Sequence, residues 1–143
     1  MSSPPTADDP RDALRRLAAA TDLVSSEASY NRMLDAIGHN HSGSLRRSAL
    51  PTVEGLLAIA CTGRRWSSDA ALAVLIDVTT NFELKLEAGV DQTDVRMFKQ
   101  SLIGAVATRR DEILLLAGSA LQQRTRVRAA ELLEALSDAD IDP

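Results

Sequence analysis

The chain has 143 residues, a size that suits one ordinary domain. Its 45% hydrophobic and 25% charged content excludes a disordered or membrane-embedded protein, and its net charge of −4 argues against a general nucleic-acid binder. Aromatics make up only 3%, too few for base-stacking platforms, so the core must be aliphatic. Cys61 is the single cysteine, which rules out an intrachain disulfide and a cysteine-based zinc site.

The leader 1–9, rich in Ser, Pro and Asp, reads as disordered and lacks the basic and apolar regions of a signal peptide. Cytoplasmic localisation follows as an expectation. Pro10 suits a first helical turn, with Asp8 or Asp9 as N-cap and Asp12 near the positive end of the dipole. Ala13, Leu14, Leu17 and Ala20 then mark a helix to about Ala20. Tyr30, Met33, Leu34 and Ile37 keep helical spacing, so a second helix is expected from about Glu27 to Ile37, capped by Ser25 or Ser26. Gly38 follows where a helix-ending glycine belongs.

A third helix is expected from about Arg47 to Cys61 on the stripe Leu50, Val53, Leu56, Leu57, Ala60, with Pro51 in its first turn or at a kink. After Ser67 or Ser68, expected as the N-cap, comes the run Ala71, Leu72, Val74, Leu75, Ile76, Val78, Phe82. Its β-branched residues allow a strand, but its alanines and length favour a helix to about Leu84, apolar nearly all round and so central. Residues 93–118 form one long helix or two, with Arg109 intruding on the stripe Val95, Phe98, Leu102, Ala105, Val106, Ile113, Leu116. The last helix spans about Gln122 to Leu136 and buries Val127, Ala130, Leu133 and Leu136, followed by an acidic tail, 139–143. The expected class is all-α: five to six antiparallel helices in a single domain over 10–138.

An internal echo links LLAIACTGRRWSSDAAL, from Leu56, with LLAGSALQQRTRVRAAEL, from Leu115. Each runs from a leucine pair through an arginine-bearing connector into a helix with paired alanines. The unit recurs at an offset of 59 residues. These units resemble HEAT repeats: SALPTVEGLLAIA is similar to a first helix with its proline, and RTRVRAAELLEAL to a second helix, with Val127, Arg128 and Ala130 in place. From Tyr30 to Phe82 the chain also looks like small bacterial HEAT-like proteins, with HNHSG (His39 to Gly43) and VLIDV (Val74 to Val78) at their loop and second-helix motifs. It departs from them with His39 in place of Asn, and with Arg46 and Arg47 where aromatics are common. The resemblance implies a short α-α superhelix with a scaffold role, as an adaptor or a toxin-neutralising immunity protein. Larger relatives that are DNA glycosylases are longer and less acidic than this chain.

His39 and His41 are the only histidines, two potential ligands where a metal site needs three or four. The loop therefore reads as a helix connector, and no metal or cofactor is implied. The alternative is a metal-dependent enzyme or regulator in which both histidines converge with Asp77. Asp77 sits within an apolar run and is expected to pair with an arginine or cap a helix end; a catalytic acid is the competing reading. Arg46 and Arg47 lie about 20 Å from Arg64 and Arg65 along the third helix, too far for one patch. Arg64 and Arg65 instead occupy the same turn of the repeat as Arg124 and Arg126, which predicts a basic edge for an acidic protein partner. A solvated face, or neutralisation by the acidic tail, is the plainer reading of the same charges. No phosphate loop, nucleophile elbow or HExxH is present. The expected function is non-enzymatic protein–protein interaction without nucleic acid or membrane; a self-associating protein that buries its open repeat ends is a further alternative.

Overall fold

The computed structural model describes residues 9–39, 44–45, 49–62, 64–80, 92–119 and 122–141. The class is all-α. Among the described residues there are seven helices rather than five or six: α1 Pro10–Ala18, α2 Leu23–Ile37, α3 Ala49–Thr62, α4 Arg65–Thr80, α5 Gln92–Ala107, α6 Arg110–Ser119 and α7 Gln123–Ile141. A two-residue antiparallel ladder, β1 Gly38–His39 with β2 Ser44–Leu45, follows α2. None of the described helices is long and apolar enough to cross a membrane.

The helix starts show which local signals prevailed. Asp9 caps α1, its carboxylate accepting from the Arg11 N–H at 3.0 Å. α2 begins at Leu23, ahead of the expected Glu27, because Asp22 and not Ser25 or Ser26 is the cap. Asp22 Oδ1 accepts from Ser25 N–H at 2.7 Å, and Ser25 Oγ accepts from Asp22 N–H at 3.2 Å, a reciprocal capping box. Pro51 lies third in α3, where its missing N–H costs no helical bond.

Ser67 and Ser68 do not cap α4; they fall inside its first turn. Ser68 Oγ donates to the carbonyl of Ala60 at 2.6 Å, satisfying an acceptor in the last turn of α3, and Ser67 Oγ donates to Arg64 O at 3.0 Å. The segment 93–118 is two helices, parted at Thr108 and Arg109. Thr108 Oγ1 bonds back to Ala105 O at 2.6 Å, and Arg109 ion-pairs with Glu112 at 3.1 Å on the next helix.

α4 is the central helix. It packs against α1, α2, α3 and α7, and Leu72, Val74 and Leu75 are fully buried, as a helix apolar all round requires. The expected stripes hold on α1 (Ala13 and Leu17 buried, Leu14 half-buried), α2 (Met33, Leu34, Ile37) and α3 (Val53, Leu56, Leu57, Ala60); α1 ends at Ala18, short of the expected Ala20, which is buried beyond the helix. On α7 the buried face is displaced. Thr125, Ala129, Leu132, Ala135 and Leu136 are inside, while Val127 and Ala130, expected inside, are exposed. α7 also continues to Ile141, past the expected end at Leu136. The two halves of the echo fall on two hairpins, α3–α4 and α6–α7, and the second helices of these hairpins, α4 and α7, pack against each other.

Candidate functional site

Three helices frame a cleft of about 330 Å³. α4 supplies its floor: Asp69, Ala73, Ile76 and Asp77 recur at helical spacing on one face. α2 supplies one wall with Ser26, Glu27, Tyr30 and Asn31, and α7 the other with Arg124 and Arg128.

Asp69 is the most constrained group in it. Its residue is 3% exposed, just past the first turn of α4. Oδ2 ion-pairs with Arg124 Nε at 2.7 Å, whereas Oδ1 lies 3.6 Å from Arg128 Nε, outside hydrogen-bond reach. Oδ1 has no hydrogen-bond partner among the described residues. Burying a carboxylate is unfavourable unless charge and hydrogen bonds replace water, and here the replacement is half complete. At the other end of the cleft the Tyr30 hydroxyl donates to Asp77 Oδ2, joining α2 to α4. On the rim, Ser26 Oγ donates to Trp66 O at 3.1 Å, and the Arg65 guanidinium stacks over the Trp66 ring at 4.3 Å.

The arginines expected to form one edge are divided. Arg64 precedes α4, is exposed, and borders a shallow groove with Ala18, Thr21 and Ile59. Arg65 opens α4 and is exposed. Arg124 turns inward onto Asp69, so its neutralising partner is this buried carboxylate. Arg126 lies about 200° further round α7 at 100° per residue, is half-buried, and makes contacts of its own. His39 falls in β1, but its side chain, together with His41, Arg46, Arg47, Phe82, Glu83 and residues 142–143 of the tail, lies outside the described residues. So the convergence of the histidines with Asp77 is untested. Among the described residues no group of three or more His, Cys, Asp or Glu side chains could hold a metal.

Sequence reasoning singled out Asp77 and passed over Asp69, its companion eight residues earlier on the same helical face. The signal was present: Arg128 stands at the same offset from Asp69 as the rest of the echo. Arg124 and Arg128, one turn apart, converge on that carboxylate.

A second surface lies on α6, where Leu114 and Leu115 are 58% and 66% exposed. Leu115 is the echo of Leu56, which is fully buried on α3. α7 behaves differently: its echoes of the buried Leu72 and Leu75 are Glu131 and Glu134, both exposed.

No protein family model, curated protein or solved structure matches the chain.

Proposed function

We propose that this chain is a short HEAT-like α-α superhelix that acts, without catalysis, as a protein–protein interaction module. Its docking surface is centred on Leu114 and Leu115 of α6. The contrast between the two outer helices of the second unit carries this reading. Where α7 meets solvent, positions that are leucine in the first unit have become glutamate. Where α6 meets solvent, Leu115 keeps the leucine of its echo Leu56, and Leu114 adds a second leucine where the first unit has Gly55. A repeat end that faces only water takes a polar outer face, so these exposed leucines point to a covering partner. The exposed Arg64 and Arg65 at the start of α4 suit a partner with an acidic surface, because arginine serves well as an interfacial anchor. An adaptor or a toxin-neutralising immunity protein is the role that the HEAT resemblance implies within this class.

The test compares capture from source-cell lysate by the native chain, by Leu114→Glu/Leu115→Glu, and by Arg64→Glu/Arg65→Glu. All four side chains are exposed, so the variants should keep the native circular dichroism. The expected result is one stoichiometric protein retained by the native chain, lost with the leucine variant and weakened by the arginine variant. Equal retention by all three refutes the surface. A concentration-dependent dimer in sedimentation, abolished by the leucine variant, would instead make a second copy the occupant.

A further inference from the structure

Beside the exposed arginines at the start of α4 lies an apolar groove of about 370 Å³, lined by no residue of α6. Ala18 of α1 and the connector after it contribute Ala19, Ala20 and Thr21; Ile59 comes from α3, and Arg64 and Ser67 from the start of α4. The Ser67 hydroxyl is already committed to Arg64 O, so the groove offers an occupant aliphatic walls and one guanidinium. The apolar surface continues past the groove. Leu23 and Val24 open α2 and are 41% and 77% exposed. Ser26, one turn beyond Leu23 on the same face, donates to Trp66 O and so holds the start of α2 against the start of α4. Trp66 is half-buried, with the Arg65 guanidinium over its ring.

Charge selects the occupant. Arg64 and Arg65 are exposed, and neither has an acidic partner among the described residues. As consecutive residues they diverge, Arg64 to the groove and Arg65 over Trp66. Asp22, the acid within the connector, is engaged in capping α2. A small anion would leave Leu23 and Val24 uncovered. A nucleic acid needs an open aromatic face, and Arg65 already covers Trp66. A bilayer surface is flat and does not enter a groove. A peptide can fill the groove and reach both cations, and tryptophan and arginine are the side chains that most often anchor such contacts. We propose that this groove binds an acidic peptide segment of a partner protein, with an aliphatic side chain between Ala18 and Ile59 and flanking carboxylates on Arg64 and Arg65. The proposal rests on the reading of these arginines as anchors for an acidic partner and needs nothing from Leu114 and Leu115.

Trp66 is the only tryptophan, so its fluorescence reports the edge of the groove. The experiment titrates the full chain with a blocked pentapeptide of alternating glutamate and leucine, and with its glutamine–leucine and glutamate–alanine counterparts. The first is expected to saturate with a Kd tighter than about 1 mM. The glutamine peptide should bind about 5-fold more weakly, as the loss of two exposed ion pairs predicts. The alanine peptide should bind at least about 10-fold more weakly, because it leaves the aliphatic walls in water. Arg64→Gln should weaken the first peptide about 3-fold. Ala19→Glu, at an exposed position, brings a carboxylate into the groove that Arg64 lines and should weaken it at least about 10-fold while the circular dichroism stays native. Leu114→Glu/Leu115→Glu should leave the titration unchanged, so failure of the groove and failure of the α6 surface are read apart. Overturning results are no saturation, equal affinity for the glutamate and glutamine peptides, unchanged affinity in Ala19→Glu, or tighter binding to single-stranded DNA or to anionic vesicles than to the peptide.

Discussion

The ion pair between α4 and α7 makes a prediction that depends on which partner is removed. Asp69 is buried, while the side chains of Arg124 and Arg128 remain 45% and 32% exposed. Substituting Asp69→Asn leaves two cations that can turn to water, so the loss should be about 1–2 kcal/mol, near that of a hydrogen bond to a charged group. Removing both cations in Arg124→Gln/Arg128→Gln strands the carboxylate without a counter-charge, a loss of about 3–5 kcal/mol. Arg124→Gln alone falls between them, because Arg128 can close its 3.6 Å gap. In the double arginine variant, Asp69→Asn should become neutral or stabilising, because it then removes an uncompensated buried charge. Urea denaturation of the native chain and the four variants, with m-values checked for constancy, measures this cycle. If Asp69→Asn destabilises by the same amount with and without the arginines, the carboxylate is not held by them and the account of the cleft fails.

Other outcomes follow from single contacts. Gly104 and Gly118 lie in helices with open space where a Cβ would project, so Gly104→Ala and Gly118→Ala should each stabilise by about 0.5–1 kcal/mol in thermal melts. Ser68→Ala removes the 2.6 Å bond that satisfies the Ala60 carbonyl and should cost about 1 kcal/mol in the same assay. Burial, and then the nearby Glu112, pushes the Cys61 thiol from 9.0 up to about 11. Its thiolate-dependent alkylation in the folded chain should therefore rise with pH toward that value, and a midpoint near 9 would contradict it. Because the folded value is raised, its stabilising contribution is complete below pH 9.0 and lost as pH climbs to about 11. Asp22 runs the other way. The hydrogen bonds from Ser25 hold its carboxyl below 3.8, so its cap is intact above that pH and fails as acid protonates it, which a pH series of helical circular dichroism will follow.

The parts of the fold legible in the sequence were those set by one-dimensional patterning. Leucine and alanine spacing located the buried faces of α1 to α3 and the central position of α4, because a helix that is apolar all round has only the interior to occupy. Helix starts were less legible, since several Ser and Asp residues compete for each cap and hydrogen-bond geometry decides among them. Asp22 prevailed over Ser25 by pairing with it. α7 was misread for a different reason. Val127, Ala130 and Leu133 match the helical period as well as Ala129, Leu132 and Leu136 do, and only contact with α4 and α6 selects the second set. The cleft was legible only in fragments, because Asp69, Tyr30 and Arg124 are far apart in sequence and no local pattern ties them.

The echo between the hairpins also explains why the cleft is charged. Two identical units stacked side by side would set like residues at equivalent positions, acid beside acid or arginine beside arginine. This chain has Asp69 in the first unit and Arg128 in the second at the same place in the echo, and Arg124 one turn earlier completes the pairing. The exchange makes the α4–α7 contact attractive in one order of units. A third unit bringing its own first-turn arginine to α7 would meet Arg128 where Arg124 met Asp69, and like charges disfavour that approach. Together with Glu131 and Glu134 in place of leucines, this closes α7 to further stacking. The open leucines of α6 are therefore not explained as the waiting face of a longer array. On the proposed reading they meet a surface of different chemistry, which is why the comparison of leucine and arginine variants, rather than the addition of another repeat, is the informative experiment.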